Sequence, residues 1–162
     1  MDKNSKNYRL VLAAIFAALT ALVTMVIKIP IPNGAGYLNL GDGVLMVSGL
    51  LFGPWVGACV GGIGSAIADL LSGYAAYAPF TLVVKGLEGF LAAYLLRKFS
   101  NRWPGLIIAG LAMALGYFLT DWVLYQYPAA IASLPMNIGQ GLFGALVAGI
   151  LYPILHKVIR QD

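Results

Sequence analysis

Charge is scarce in this sequence: only 10% of its 162 residues are Asp, Glu, Lys or Arg, whereas 60% are hydrophobic. That leaves too little polar surface to cover a soluble domain of this size, so lipid is the solvent for most of the chain. Cysteine and histidine are scarcer still, with Cys59 and His156 alone. A single thiol excludes disulfides, zinc clusters and dithiol redox motifs, and Cys59 reads as a packed or lipid-facing thiol. His156 reads as a helix-end side chain. There is no G-x-x-x-x-G-K-[ST] phosphate loop, H-E-x-x-H motif or nucleophile elbow, so the chain is not read as an enzyme and cannot hydrolyse ATP. No cofactor or metal is expected. The formal net charge of +4 lies in short flanks rather than on one face, which argues for membrane topology and against nucleic acid.

What is present is a succession of apolar runs. A bilayer core about 30 Å thick takes about 20 apolar residues per helix, so the chain has room for about six spans and reads as one integral membrane domain over 1–162. The first run follows Lys3, Lys6 and Arg9. It is too long for a secretory signal and reads as a retained span. The expected helices are 9–29, stopped by Pro30 and Pro32; a short 42–52; 55–71 after the Gly53-Pro54 turn; 79–98; 104–127; and 133–156, loosened near Pro153. The stretch 30–41 reads as an irregular outer loop. Alternating loops put Lys3, Lys6, Arg9, Arg97, Lys98, Arg102, Lys157 and Arg160 on one side and only Lys28 on the other. The positive-inside rule then makes both termini cytoplasmic.

Small residues recur at every fourth position: Ala13, Ala17 and Ala21; Gly57, Gly61 and Ser65; Gly141, Ala145 and Gly149. Such stripes let helix backbones approach closely, and packing within the bundle is their usual use. The helix-one stripe is the best candidate for docking another membrane subunit.

With orientation set, a rise of about 1.5 Å per residue gives depth. Lys85, Asp121 and Gln140 fall about 9 to 10 Å below the outer ends of their helices, Asn137 about 6 Å and Glu88 about 13 Å. Lys85, Asp121, Asn137 and Gln140 thus form one outer layer, with Glu88 beneath. Asp42 and Asp69 are placed at outer helix ends. Tyr37, Tyr74, Tyr77, Tyr117, Trp122, Tyr125 and Tyr127 surround the layer, either to stack on a flat ring or as an interfacial belt. Lys85 paired with Asp121 or Glu88 would be a plain structural salt bridge; ionisable groups at such depth more often mark sites. The inner halves of the last three helices carry no charged or amide side chain, which argues against a channel and for a pocket open outward.

The segments 37–43 (YLNLGDG), 51–54 (LFGP), 61–70 (GGIGSAIADL), 77–81 (YAPFT) and 85–89 (KGLEG) resemble the S components of energy-coupling factor (ECF) vitamin transporters. The resemblance covers nearly the whole chain. It implies an all-α membrane protein with six transmembrane helices, in the cell membrane of a prokaryote, that captures a vitamin under its outer loops. It also implies association with a transmembrane coupling subunit and two cytoplasmic ATPases, the coupling subunit docking on Ala13, Ala14, Ala17, Ala18 and Ala21. The pattern looks most like the pyridoxine or hydroxymethylpyrimidine branch, with riboflavin and thiamine as alternatives. The expected substrate-binding residues are Asn39, Tyr77, Lys85, Glu88, Tyr117, Asp121, Tyr125, Asn137 and Gln140. A proton-coupled carrier using Glu88 or Asp121 and a purely structural subunit are the competing readings; the short chain and missing internal repeat count against the carrier.

Overall fold

The structure, a computed structural model, describes residues 6–30 and 37–160. Helix α1 (Lys6–Val26) leads into strand β1 (Lys28–Pro30), which pairs antiparallel with β2 (Tyr37–Asn39). Then come α2 (Gly41–Phe52), α3 (Pro54–Leu71), α4 (Ala78–Leu96) and α5 (Arg102–Arg160). The first helix stops short of the expected 29, and part of the expected irregular loop is a ribbon. Pro30 explains both, because the residue before a proline is pushed towards extended backbone and a proline is tolerated on a ribbon edge. Asn33, Gly34 and Gly36 of the expected loop lie outside the described residues.

The turns follow from local chemistry. Gly53 holds φ 103° between α2 and α3, a conformation that costs glycine little, and Pro54 fits the first position of α3. Gly73, at φ 85°, ends α3 while the Tyr74 N–H returns to the Asp69 carbonyl at 2.9 Å, the Schellman pattern of a helix C-terminus.

Helix α5 has 59 residues, about 88 Å at the α-helical rise and far more than one crossing can use. It breaks at Gln126, whose φ 72° and ψ 170° are non-helical, and Pro128 follows. The arms 102–125 and 127–160 run antiparallel. Gly110 meets Gly141 so closely that a Cβ on either would come within 2.5 Å of the other's carbonyl oxygen, and Arg102 Nε donates to the Gly149 carbonyl at 3.0 Å. Among the described residues, five helices, one broken in two, give six helical segments. Pro153 leaves its helix regular, contrary to the expected loosening, since Gln126 is the one non-helical residue in the run. By length and composition α3, α4 and α5 are long and apolar enough to cross a membrane, whereas α2 and the apolar part of α1, Leu10–Val26, are shorter.

Helix α2 occupies the centre. Apart from Val44, every residue from Gly41 to Leu50 is buried, as befits a helix that is apolar all round. Leu45, Met46, Val47 and Leu50 form the core with Val60, Ala92, Leu106, Ala109, Ala145 and Ala148. The glycine stripes serve this packing. A Cβ on Gly89 would lie 2.2 Å from the Gly57 carbonyl oxygen, so α3 and α4 touch through bare backbone. The alanines of α1 divide between two faces. Ala17 packs against Gly64 of α3, Ala21 is buried and Ala13 packs against the core, while Ala14 and Ala18 face outward beside Leu10, Ile15 and Leu22.

Candidate functional site

Burying the whole of α2 carries its first turn, and with it Asp42, into the bundle, where the positive end of the helix dipole favours a carboxylate. Lys85 projects from α4 and donates to Asp42 Oδ1 and, at 3.1 Å, to Glu88 Oε2. All three side chains are at most 1% exposed. Asp42 Oδ2 accepts from Gln140 Nε2 at 2.9 Å, so the second arm of α5 reaches the same carboxylate. Gln140 Oε1 in turn accepts the Asn39 N–H at 3.0 Å. The Asn39 side-chain oxygen takes the Gly41 N–H at 2.9 Å and the Thr24 hydroxyl at 3.3 Å. One polar chain therefore joins α1, the ribbon, α2, α4 and α5.

A second network lies on the same faces of α4 and α5. Asp121 Oδ1 accepts from Tyr77 OH at 2.6 Å, and Oδ2 accepts from Ser133 Oγ. Burial, followed by the hydrogen bond to Asp121, pushes the Tyr77 phenol well above its ordinary range, so it remains a protonated donor. The Tyr77 ring lies 5.9 Å from that of Tyr125, 6.4 Å from Tyr74 and 6.5 Å from Tyr117. Tyr117 connects the two networks: its hydroxyl is 3.0 Å from Thr81 Oγ1, and Lys85 Nζ sits 5.5 Å above its ring, within cation–π range.

The expected single layer is thus two networks. Lys85 pairs with Asp42 and Glu88; Asp121 belongs with Tyr77 and Ser133 instead, which corrects the Lys85–Asp121 pairing weighed from sequence. Asn137 lies four residues from Ser133 and three from Gln140, on the helix face between the networks. It is 6% exposed and makes no hydrogen bond to a described residue. Glu88 Oε1 is likewise buried without a hydrogen-bond partner among the described residues. Of the aromatic residues, Tyr74, Tyr77, Tyr117 and Tyr125 gather at the site. Trp122 and Tyr127 form a separate, half-exposed cluster with Phe118, the arrangement of an interfacial belt. The Tyr37 side chain lies outside the described residues. No group of three or more His, Cys, Asp or Glu among the described residues could hold a metal ion.

Sequence reasoning missed Asp42, Ser133 and Thr81 as members of these networks. Asp42 was legible in principle, because the unbroken apolarity of GDGVLMVSGLLF marks a helix with no solvent face.

Three comparisons bear on this arrangement. The family model for the ECF-type riboflavin transporter, S component, matches residues 4–157. The thiamine precursor transporter HmpT of Lactococcus lactis subsp. cremoris is 34% identical over 157 residues, 96% of this chain and 91% of that protein. An uncharacterized protein of Pyrococcus woesei is 41% identical over 141 residues, 85% of this chain and 95% of its own length. The solved structure of the S component of a bacterial ECF transporter superposes with a TM-score of 0.73 at 22% identity, covering 96% of this chain and 99% of that one, and shares the fold. With a matching family model over nearly its whole length and the same helical architecture, the chain belongs to the S-component family of ECF-type transporters.

Proposed function

We propose that this S component captures a thiamine precursor of the hydroxymethylpyrimidine type between the two networks. The observation that carries this reading is Asn137, a residue only 6% exposed whose side chain makes no hydrogen bond to a described residue. Buried polar groups are normally hydrogen-bonded, so an amide on this face with no partner among the described residues, like the open Glu88 Oε1, is suited to a ligand. Its adjacent acceptor and donor match an aminopyrimidine edge, as the Asn amide matches the amino and ring nitrogens of adenine. The tyrosines at 77, 117 and 125 offer faces for a flat ring. Lys85 and Glu88 supply charge-assisted partners for a hydroxymethyl group, while Asn39 and Gln140 bring the ribbon over the site. The name of the Lactococcus relative supports this substrate class. Pyridoxine lacks the amino group beside a ring nitrogen that this pairing uses, so it is expected to bind more weakly.

The six helical segments, together with basic residues that cluster in the flanks, support six crossings with both termini in the cytoplasm. In this reading the protein sits in a prokaryotic cell membrane and takes its energy from a transmembrane coupling subunit and two cytoplasmic ATPases. That subunit docks on the outward side of α1, where Ala14 and Ala18 lie. Calorimetry of the purified protein with hydroxymethylpyrimidine, pyridoxine, thiamine and riboflavin tests the proposal. One-to-one binding led by hydroxymethylpyrimidine and weakened by Asn137→Ala supports it, whereas an unchanged affinity in that variant removes the site from this face.

A further inference from the structure

Asp121 places a carboxyl group in the bundle with no cation paired to it among the described residues. Both of its oxygens are engaged by hydroxyls, Oδ1 by Tyr77 and Oδ2 by Ser133, and the residue is 1% exposed. Its two donors come from different elements. Tyr77 stands immediately before α4, and Ser133 lies in the second arm of α5, twelve residues beyond Asp121 across the break at Gln126. Ser133 Oγ also reaches the Ala130 carbonyl at 3.2 Å, so its position is set by its own helix. Asp121 therefore ties the Tyr77 phenol to both arms of α5. The Tyr77 ring in turn meets Tyr74, Tyr117 and Tyr125, so the tilt of this central ring governs the whole tyrosine wall.

We propose that Asp121 is a positioning residue: it does not touch the solute but holds Tyr77 at the angle that shapes the aromatic wall of the pocket. The inference rests on the capture reading for its effect on binding, but its effect on the tyrosines needs no ligand. A contact to the solute through charge would demand a carboxylate at this position. Positioning demands only an acceptor for Tyr77 and a partner for Ser133, and an asparagine of the same shape supplies both.

The test uses the full-length protein in detergent, with near-ultraviolet circular dichroism of the tyrosines and calorimetry with hydroxymethylpyrimidine. Tyr77→Phe removes only the hydroxyl and keeps the ring. It is expected to weaken binding about tenfold, the effect of one lost hydrogen bond. Asp121→Ala, which keeps every tyrosine, is expected to change the tyrosine signal and to weaken binding as far, the double variant to add little to the binding loss of either single one, and Asp121→Asn to restore the spectrum and bring affinity back to within about twofold of wild type. Failure of Asp121→Asn to rescue, with losses equal to those of alanine, overturns positioning and makes the charge itself the contact. So does an unchanged tyrosine signal in Asp121→Ala. If the wild-type protein binds none of the four heterocycles, the capture reading fails, and the spectra of the same variants still decide the role of Asp121.

Discussion

Asp42 and Asp121 are buried to the same degree, each 1% exposed, yet their surroundings differ. Asp42 meets an ammonium, an amide and the first turn of a helix; Asp121 meets two hydroxyls. The ionic network joins five elements, whereas the hydroxyl network joins only the start of α4 and the two arms of α5. Removing one partner from a buried charge pair strands the other, so the first network is expected to be fragile in stability. Loss of a hydroxyl donor removes one hydrogen bond of several, so the second network should show its effects mainly in the geometry of the site.

The sharpest way to break this contrast is Lys85→Ala, which leaves Asp42 and Glu88 buried without their cation. A loss of about 3–5 kcal/mol is expected, read as a large drop in the thermal midpoint in detergent. Lys85→Met combined with Asp42→Leu and Glu88→Leu should recover much of that stability while abolishing binding, because an apolar replacement removes the desolvation cost of the whole group. Gln140→Ala comes next. It takes a donor from Asp42 and releases the Asn39 N–H, for a loss of about 1–3 kcal/mol and greater protease sensitivity of the ribbon. Ser133→Ala should cost about 1 kcal/mol, since Asp121 keeps Tyr77. The smallest effect has the opposite sign. Gln126 occupies a backbone region in which only glycine is at ease, so Gln126→Gly is expected to raise stability by about 1 kcal/mol after the added freedom of the unfolded chain is counted. A fall in the thermal midpoint of that variant would show that the Gln126 side chain does more than cross the turn.

Much of this architecture is legible in the sequence, and the gaps have specific causes. Gly53-Pro54, the tyrosine-rich turn before α4 and the apolar runs mark the first five helical segments to within about three residues, whereas the last, expected over 133–156, runs from 127 to 160 because the chain turns at Gln126 alone. Spacing of three or four along one helix puts Asn137 and Gln140 on one face, and Tyr117 and Asp121 on another. Periodicity says which face a residue occupies but not which helix covers that face, so Lys85 could not be assigned to Asp42 rather than Asp121. Depth counting also treats a helix end as a surface, which fails for α2: it is too short to span and is wrapped on all sides. The small-residue stripe of α1 shows the same limit. Its spacing announces a close helix contact, and the structure gives Ala17 of that contact to α3 while leaving Ala14 and Ala18 outside.

The face between the two networks is proposed to receive a small aminated heterocycle. Titrating hydroxymethylpyrimidine calorimetrically into the wild-type protein and Asn137→Ala tests it most directly, because Asn137 belongs to neither network and its removal breaks no hydrogen bond among the described residues. Saturable one-to-one binding to the wild type is expected, with a loss of about tenfold or more in the variant at an unchanged thermal midpoint. Equal affinity in the two proteins, or no binding in either, would contradict it.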